Sequence, residues 1–388
     1  MSRHTPYLFL STVLLLTASA CAGDDASSGS ASESSGSTTS AADDGPALGE
    51  RASQLCRDAM AAWPALVAAT NTSELAAAYE GGPLQDYVLA SDAAGERGDD
   101  AAILAALADG GDEARASVVP RLQAAFVARV RAELAAPEAL VDDPDAAWSE
   151  AHCLWTGALA SLAADAGEPG LAQSIDAAFA DGHDGIAGAP GAASVDDWKT
   201  PPARQVIEKS LFTAAHRRVL AEAALAASGD RSAARRALEL FQILEDRLEG
   251  RNTPGIALVE GMLGDPGATI DVDAIATAMN IAFAKRTRKY CSDAIDSGLL
   301  GVPAGYEGAL EGRTYQRLID PDMSARIAGQ GFDAAAYAGA WDDFVDAVQI
   351  GDAPAAASLS AELVQWNCAY QAALGIAACT ASDDELAP

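Results

Sequence analysis

The sequence is poor in positive charge, in histidine and in aromatic side chains. It has 25 Lys and Arg residues against 56 Asp and Glu residues, a formal net charge of −31, and only 4 His residues. So negative a chain is repelled by phosphate backbones, which excludes nucleic acid as a partner, and it attracts cations. After the first 20 residues, any chemistry based on histidine must use His152, His183 or His216.

Motifs for catalysis are also missing. The chain has no nucleophile with a paired base, no phosphate-binding Gly-rich loop and no His-Glu-x-x-His metal motif. The segment "GIAGAPG" (185–191) is rich in glycine, but the sequence predicts no strand before it, so it is not a nucleotide fingerprint. These absences indicate a protein that is not an enzyme.

Long apolar runs are absent as well. The run from Tyr7 to Leu16 has about half of the roughly 20 residues that a membrane-spanning helix needs. A polar start, an apolar core and then small residues is the order of a secretory signal, and the small residues 18–20 precede Cys21. We therefore predict a lipoprotein signal peptide over 1–20 and a diacylglycerol/acyl anchor on Cys21 that attaches the protein to a lipid bilayer. The alternative is ordinary signal cleavage beside an incidental cysteine.

The segment after Cys21 has almost no large apolar side chain. Residues 21–49 are mainly Ser, Gly, Thr, Ala and Asp, and such a chain cannot bury enough surface to offset its conformational entropy. The composition predicts a disordered tether that carries a folded domain over 50–385. This domain is expected in the bacterial cell envelope, either on the periplasmic face or at the outer-membrane surface.

The folded part is dominated by alanine, with 6% aromatic residues, and this composition favours helix over strand. Its apolar spacing predicts an all-α, antiparallel multi-helix bundle. The predicted helices are 50–69, 72–79, 83–93, 100–108, 114–135, 145–165, 170–180, 202–227, 231–249, 272–297, 333–348 and 353–379. A short strand over 269–272 is the one alternative element.

Two segments of the chain resemble each other. "AAAYEGGPLQDYV" at 76–88 is similar to "AAAYAGAWDDFV" at 334–345 when one gap is allowed. The match indicates a bundle of two related halves, or chance similarity in an alanine-rich chain.

Five cysteines follow Cys21, an odd number, so at least one is free or pairs with another chain. An exported protein permits disulfides, and none of the cysteines has the two-residue spacing of a zinc or redox site. If 368–379 is one helix, its two cysteines lie about 16 Å apart, too far to bond. The pairing is otherwise left open. The five are Cys56, Cys153, Cys291, Cys368 and Cys379.

Helical projection places several charged or titratable side chains on apolar faces. His152 lies between Trp148 and Trp155, while Glu208 and Glu245 fall within apolar stripes and His216 lies at the edge of one. A buried carboxylate is costly unless it is paired or bound to a metal. Bundles bind iron through inward Glu and His side chains, and iron as a hard cation favours oxygen ligands.

We therefore predict an iron site formed by Glu208, Glu245, His152 and His216. In the alternative, Arg286 on the apolar arc of its own helix neutralises Glu208 or Glu245 in a buried salt bridge. A second candidate cation site is the segment with Asp181, His183 and Asp184, whose alternative is a solvated turn.

The chain resembles a known family in four places. They are the lipoprotein start, "LAAAYEGGPLQDYVLASDA" (75–93), "AAWSEAHCLWTGAL" (146–159) and "ARQVIEKSLFTAAHRRVLAE" (203–222). Together they resemble the low-iron-induced iron-assimilation proteins of green algae and their bacterial lipoprotein relatives, over about residues 70–300. The resemblance implies a largely helical, secreted protein that helps to capture iron outside the cytoplasm. In our first functional hypothesis, such a protein passes the metal to a metal transporter. It supplies no settled ligand set, although Glu208 in "VIEKSL" matches the pattern best.

The Gly-x-His-x-x-Glu motif of the imelysin-like iron-uptake lipoproteins is missing. Two functions remain after these observations. The first is an iron-binding lipoprotein for uptake. The second is a non-catalytic structural or interaction lipoprotein whose buried charges are salt-bridged and bind no metal.

Overall fold

The computed structural model describes residues 47–95, 97–137, 143–188 and 194–376, together with Cys379. The predicted signal peptide, the lipidation of Cys21 and nearly all of the predicted tether lie outside these residues. The last three residues of that tether, 47–49, pack onto the domain. Leu48 contacts the core, and the Gly49 amide donates a hydrogen bond to Ser149 Oγ at 3.2 Å. The prediction of disorder up to residue 49 is therefore wrong at its end.

The described part of the chain is an all-α multi-helix bundle, as predicted. Its helices are α1 (Gln54–Ala68), α2 (Thr72–Tyr79), α3 (Pro83–Gly95), α4 (Asp99–Asp109), α5 (Gly111–Ala135), α6 (Pro144–Leu154), α7 (Ala160–Asp165), α8 (Leu171–His183), α9 (Thr200–Ala227), α10 (Arg231–Phe241), α11 (Glu245–Leu248), α12 (Thr253–Gly264), α13 (Val272–Tyr290), α14 (Asp293–Asp296), α15 (Pro303–Ile327), α16 (Ala334–Ile350) and α17 (Ala353–Ala373). A π-helical turn, Trp155–Leu159, joins α6 to α7, and a 3₁₀ turn, Ala328–Gln330, follows α15. The short strands β1 (Ile186–Ala187) and β2 (Ser194–Val195) pair antiparallel.

Many of these helices start at a residue whose side chain accepts a hydrogen bond from a backbone amide of the first turn, which satisfies an otherwise unpaired donor. The capping residues are Ser53, Asn71, Asp143, Asp230, Asp271, Asp333 and Asp352. In α6 the cap is Asp143, and Pro144 occupies the first turn. The Asp271 cap places the start of α13 at Val272, so the alternative strand over 269–272 is not present.

Helix α9 lies at the centre of the bundle, packed against α8, α10, α13 and α15. Because neighbours surround it, it is buried around most of its circumference and carries buried polar residues as well as apolar ones. No described helix combines the length and hydropathy needed to cross a bilayer.

Two helices were missed by the sequence analysis, α12 and α15. Both contain glycine and proline, which disfavour helix by propensity, but packing overrides that preference. At Gly312 in α15, a Cβ atom would lie 2.5 Å from Tyr290 Cβ and 2.8 Å from the Trp341 ring. The glycine is there because α13 and α16 approach α15 too closely for a side chain.

The two similar segments adopt different local structures. The first is broken between α2 and α3 at Gly81, which has a positive φ of 65°. The second lies within the unbroken helix α16. The sequence similarity therefore does not correspond to the same structural unit in both places.

Two disulfides are present among the described residues. Cys56 and Cys153 join α1 to α6 with their Cα atoms 6.5 Å apart. Cys368 and Cys379 also bond, with Cα atoms 4.8 Å apart. The predicted helix to residue 379 is wrong, because α17 ends at Ala373 and the chain turns back. Cys291 is a buried free thiol, and burial raises its pKa to about 12.

Candidate functional site

Glu208 lies on α9 and is buried, as the projection predicted. Its carboxylate is 3.0 Å from the Lys209 ammonium, and this ammonium is also 3.4 Å from Glu311 of α15. Burial alone would lower the pKa of Lys209, but Tyr315, Glu208 and Glu311 outweigh that effect and raise it. A permanently charged lysine therefore lies between the two carboxylates.

Arg286 on α13 is also part of this group. Its guanidinium lies 3.7 Å from Glu311 and over the ring of Tyr290, 4.9 Å from the centroid. Burial would raise the pKa of Glu311, but Lys209, Tyr290 and Arg286 together lower it. The sequence alternative expected Arg286 to pair with Glu208 or Glu245. Among the described residues, Arg286 has Glu311 as a carboxylate partner, and the cation beside Glu208 is Lys209.

Glu245 lies away from this group. The predicted helix 231–249 ends at Phe241 and restarts at Glu245, so the projection across it was wrong and the side chain is only half-buried. Burial first, and then the neighbouring carboxylates of Glu260, Glu249 and Asp246, raise its pKa.

The two candidate histidines have separate surroundings. His216 is fully buried in α9, where its Nε2 lies 2.9 Å from Asn280 Oδ1. Burial lowers its pKa to about 3, so the ring is neutral. His152 is half-buried with its ring 5.2 Å from that of Phe179, and burial lowers its pKa too.

The structure also separates the second candidate site. His183 ends α8 and its Nε2 is 3.0 Å from Asp145 of α6, which also lies 3.5 Å from Arg51. Asp181 and Asp184 are exposed. Across the described ranges, no three His, Cys, Asp or Glu side chains come together as a metal site.

A feature that the sequence analysis missed is a cleft of about 490 Å³ where α5, α9, α11, α13 and α15 meet. Among the described residues, five cationic side chains line it, together with two carboxylates, those of Glu208 and Glu311. Alanine side chains of α5 form an apolar wall. The cations are Arg131, Arg204, Lys209, Arg247 and Arg286. A fifth of the chain's 25 basic residues therefore line one cleft of a protein whose net charge is −31.

Three of these cations surround the buried ring of Phe212. The ring centroid is 5.3 Å from Arg131 Cζ, 5.6 Å from Arg247 Cζ and 5.9 Å from Lys209 Nζ. Such contacts stabilise each cation by a modest amount and fix its position. The cleft is therefore a built arrangement of charges on packed helices, and chemically it suits an anion.

No family model, curated protein or solved structure matches the chain. The resemblance to iron-assimilation proteins therefore stays a prediction. The scarcity of basic residues is the one sequence signal that bears on the cleft, because it makes each Lys and Arg a candidate functional residue. The sequence does not show which of them lie together.

Proposed function

We propose that the protein is a non-catalytic capture protein of the cell envelope, held by a lipid on Cys21, and that its ligand is an anion bound in the cleft between α5, α9, α11, α13 and α15. The observation that carries this proposal is the concentration of five cations in that cleft.

The overall negative charge does not oppose this function. Surface charges are screened beyond about 8 Å at physiological ionic strength. Within the cleft, the partly buried cations act at short range and in a lower effective dielectric, so they dominate the local field. The negative exterior would instead repel long polyanions and leave the cleft to small ones.

The position of Lys209 beside Glu208 also determines in which form the protein would capture iron. A free metal ion at Glu208 would have to displace the Lys209 ammonium or lie beside it, at a large cost in repulsion between like charges. Iron captured by this protein is therefore proposed to arrive as an anionic complex, such as ferric citrate, for transfer to a metal transporter. Free iron ligated by Glu208, Glu245, His152 and His216 is the competing proposal.

Calorimetric titration of the exported chain in detergent separates these possibilities. The titrants are citrate, Fe(III) alone and ferric citrate. We expect citrate and ferric citrate to bind saturably and Fe(III) alone to show only weak binding that salt abolishes. Saturable binding of Fe(III) alone that is lost in Glu208→Gln would overturn the proposal in favour of direct metal ligation.

A steric variant locates the site without changing any charge. Ala132 lines the cleft and is itself exposed, so Ala132→Trp fills the opening without disturbing the core. We expect this variant to weaken citrate binding by about tenfold or more, since it occupies the volume of the ligand. Ala221→Trp, at an exposed position of α9, is the matched control. Equal binding by both variants would place the anion elsewhere.

A further inference from the structure

The positive charges of the cleft exceed the negative charges paired with them among the described residues. The position of the excess positive charge indicates where the acidic group of a ligand would bind. Lys209 pairs with Glu208 at 3.0 Å, Arg204 with Glu307 at 3.1 Å and Arg286 with Glu311 at 3.7 Å. Each of these three cations therefore has a carboxylate partner, and of the three carboxylates Glu208 and Glu311 line the cleft. Arg204 and Arg286 have further interactions, so neither is free.

The remaining two cations share one carboxylate among the described residues. Arg131 Nη2 is 2.9 Å from Asp246 Oδ2, and Arg247 donates to the same carboxylate from Nε at 3.0 Å and from Nη2 at 2.6 Å. Two guanidinium groups against one carboxylate leave an excess charge of one. The excess lies beside Phe212, whose ring contacts both groups.

Arg131 also has hydrogen-bonding capacity left over. Its Nε is buried and has no hydrogen-bond partner within the described part of the chain. A buried donor without an acceptor is costly, so an acceptor from a ligand would relieve that cost. Asp246 is the most exposed member of the trio, with 41% of its side chain accessible.

We infer that Arg131 and Arg247 form a fork that holds one carboxylate of a small organic acid. Guanidinium groups bind carboxylates through paired, parallel hydrogen bonds, which a lysine cannot offer. The acid's apolar carbons would lie against Ala128, Ala132 and Ala135 of α5. This inference rests on the proposed function, because it names the class of anion and the residues that hold it.

The single excess charge and the alanine wall argue against two other anions. A polyphosphate carries charge along its whole length, so the charges beyond the one that the fork takes would be desolvated without partners. Inorganic phosphate has no apolar part to place against the alanines. A short carboxylic acid meets both conditions, and a cleft of about 490 Å³ is large enough for it.

The test compares glutarate, butyrate and inorganic phosphate as titrants of the exported chain and of three arginine variants. We expect glutarate and butyrate to bind more tightly than phosphate. Arg131→Gln or Arg247→Gln should weaken glutarate binding about tenfold or more, because one arm of the fork is lost. Arg313→Gln is the control, since Arg313 pairs with exposed Asp342 outside the cleft.

Arg131→Lys keeps the positive charge but removes the planar guanidinium group. The affinity of this variant for glutarate should also fall, by less than that of Arg131→Gln. The far-ultraviolet circular dichroism and Tm of each variant establish that it is folded. If the glutamine variants bind glutarate as tightly as the parent, or if phosphate binds more tightly than glutarate, the fork is wrong.

The failure of this inference is distinguishable from that of the proposed function. If anions bind and Ala132→Trp blocks them while the Arg131 and Arg247 variants have no effect, only the fork is overturned. If no anion in either panel binds the parent protein, the proposed function fails and the fork fails with it.

Discussion

The Lys209 ammonium lies 3.0 Å from the carboxylate of Glu208, its neighbour along the chain, and both side chains are buried. Consecutive residues of a helix point about 100° apart, so a direct pair between them needs long side chains that converge in one place. That place is the cleft, where Glu311 from α15 contacts the same ammonium at 3.4 Å. Glu208, which the sequence predicted as an inward glutamate, therefore belongs to an ion network with Lys209 and Glu311.

Removing the cation from this network should be more damaging than removing one anion. Lys209→Met leaves Glu208 and Glu311 buried without their shared partner, and we expect a loss of about 3–5 kcal/mol in the free energy of unfolding. Glu208→Gln keeps the Lys209–Glu311 pair and should cost less, about 1–2 kcal/mol. Urea denaturation of the two variants measures both values. A Glu208 variant at least as unstable as the Lys209 variant would contradict this order.

His216 should make stability depend on pH. Its folded pKa of about 3 lies below the unfolded value of about 6.5, so the unfolded chain binds the proton first as the pH falls. The neutral His216 ring makes its full contribution to the free energy of unfolding above about pH 6.5, and this contribution is lost as the pH falls toward 3. Between pH 7 and pH 5 the loss should be about 2 kcal/mol.

Urea denaturation at both pH values measures that loss, and His216→Gln is the comparison because it cannot titrate. The variant can be less stable at both values, so the quantity that matters is the change between pH 7 and pH 5. This change should be smaller in the variant by about 2 kcal/mol. An equal change in the two proteins would mean that His216 has the same pKa in the folded and unfolded chain.

Glycines 308 and 312 of α15 should respond in opposite ways to alanine. At Gly312 the new Cβ would lie 2.5 Å from Tyr290 Cβ, so the variant should lose about 1–3 kcal/mol through overpacking. At Gly308 the closest atom is 3.8 Å away, an ordinary contact, and alanine should gain about 0.5–1 kcal/mol from better helix propensity. Thermal denaturation distinguishes the two, and a stabilised Gly312→Ala would show that α13 and α16 do not pack so closely on α15.

The two disulfides should differ in their contributions to stability. Cys56–Cys153 closes a loop with a sequence separation of 97, and Cys368–Cys379 one with a separation of 11. In the chain-entropy account, the longer loop restrains the unfolded chain more, by about 4–5 kcal/mol against about 2–3 kcal/mol. Double Cys→Ser variants of each pair, compared by Tm, test this order. A larger loss from the Cys368–Cys379 pair would mean that native-state contacts dominate.

The sequence predicted most helices because the signals for them are local. An apolar face at helical spacing and a capping side chain act within a few residues, and α2 was predicted with the bounds it has. The failures have a common cause. In α15 three early glycines and Pro321 argue against a helix. The contacts of Gly305 with Leu299 and of Gly312 with Tyr290 and Trp341 explain why glycine occupies those two positions, and they are visible only in the folded structure.

The candidate site shows the same division. Projection correctly placed Glu208 in the interior, since burial of a helix face follows from its apolar pattern. It placed His216 only at the edge of the apolar arc, whereas the residue is fully buried because neighbouring helices surround α9. It misplaced Glu245, because the helix breaks after Phe241 and the side chains beyond the break no longer point in the directions that a continuous helix would give them.

By itself, the sequence determined the helical class, the acidic exterior, the limited set of histidines and the starts of many helices, because composition, periodicity and capping need no knowledge of the fold. The tertiary structure alone decided that Arg131, Arg204, Lys209, Arg247 and Arg286, which come from four helices, line one cleft, and that Lys209 rather than Arg286 lies beside Glu208. Coulomb interactions fall off with distance, and the distances between side chains of different helices are set only when those helices pack.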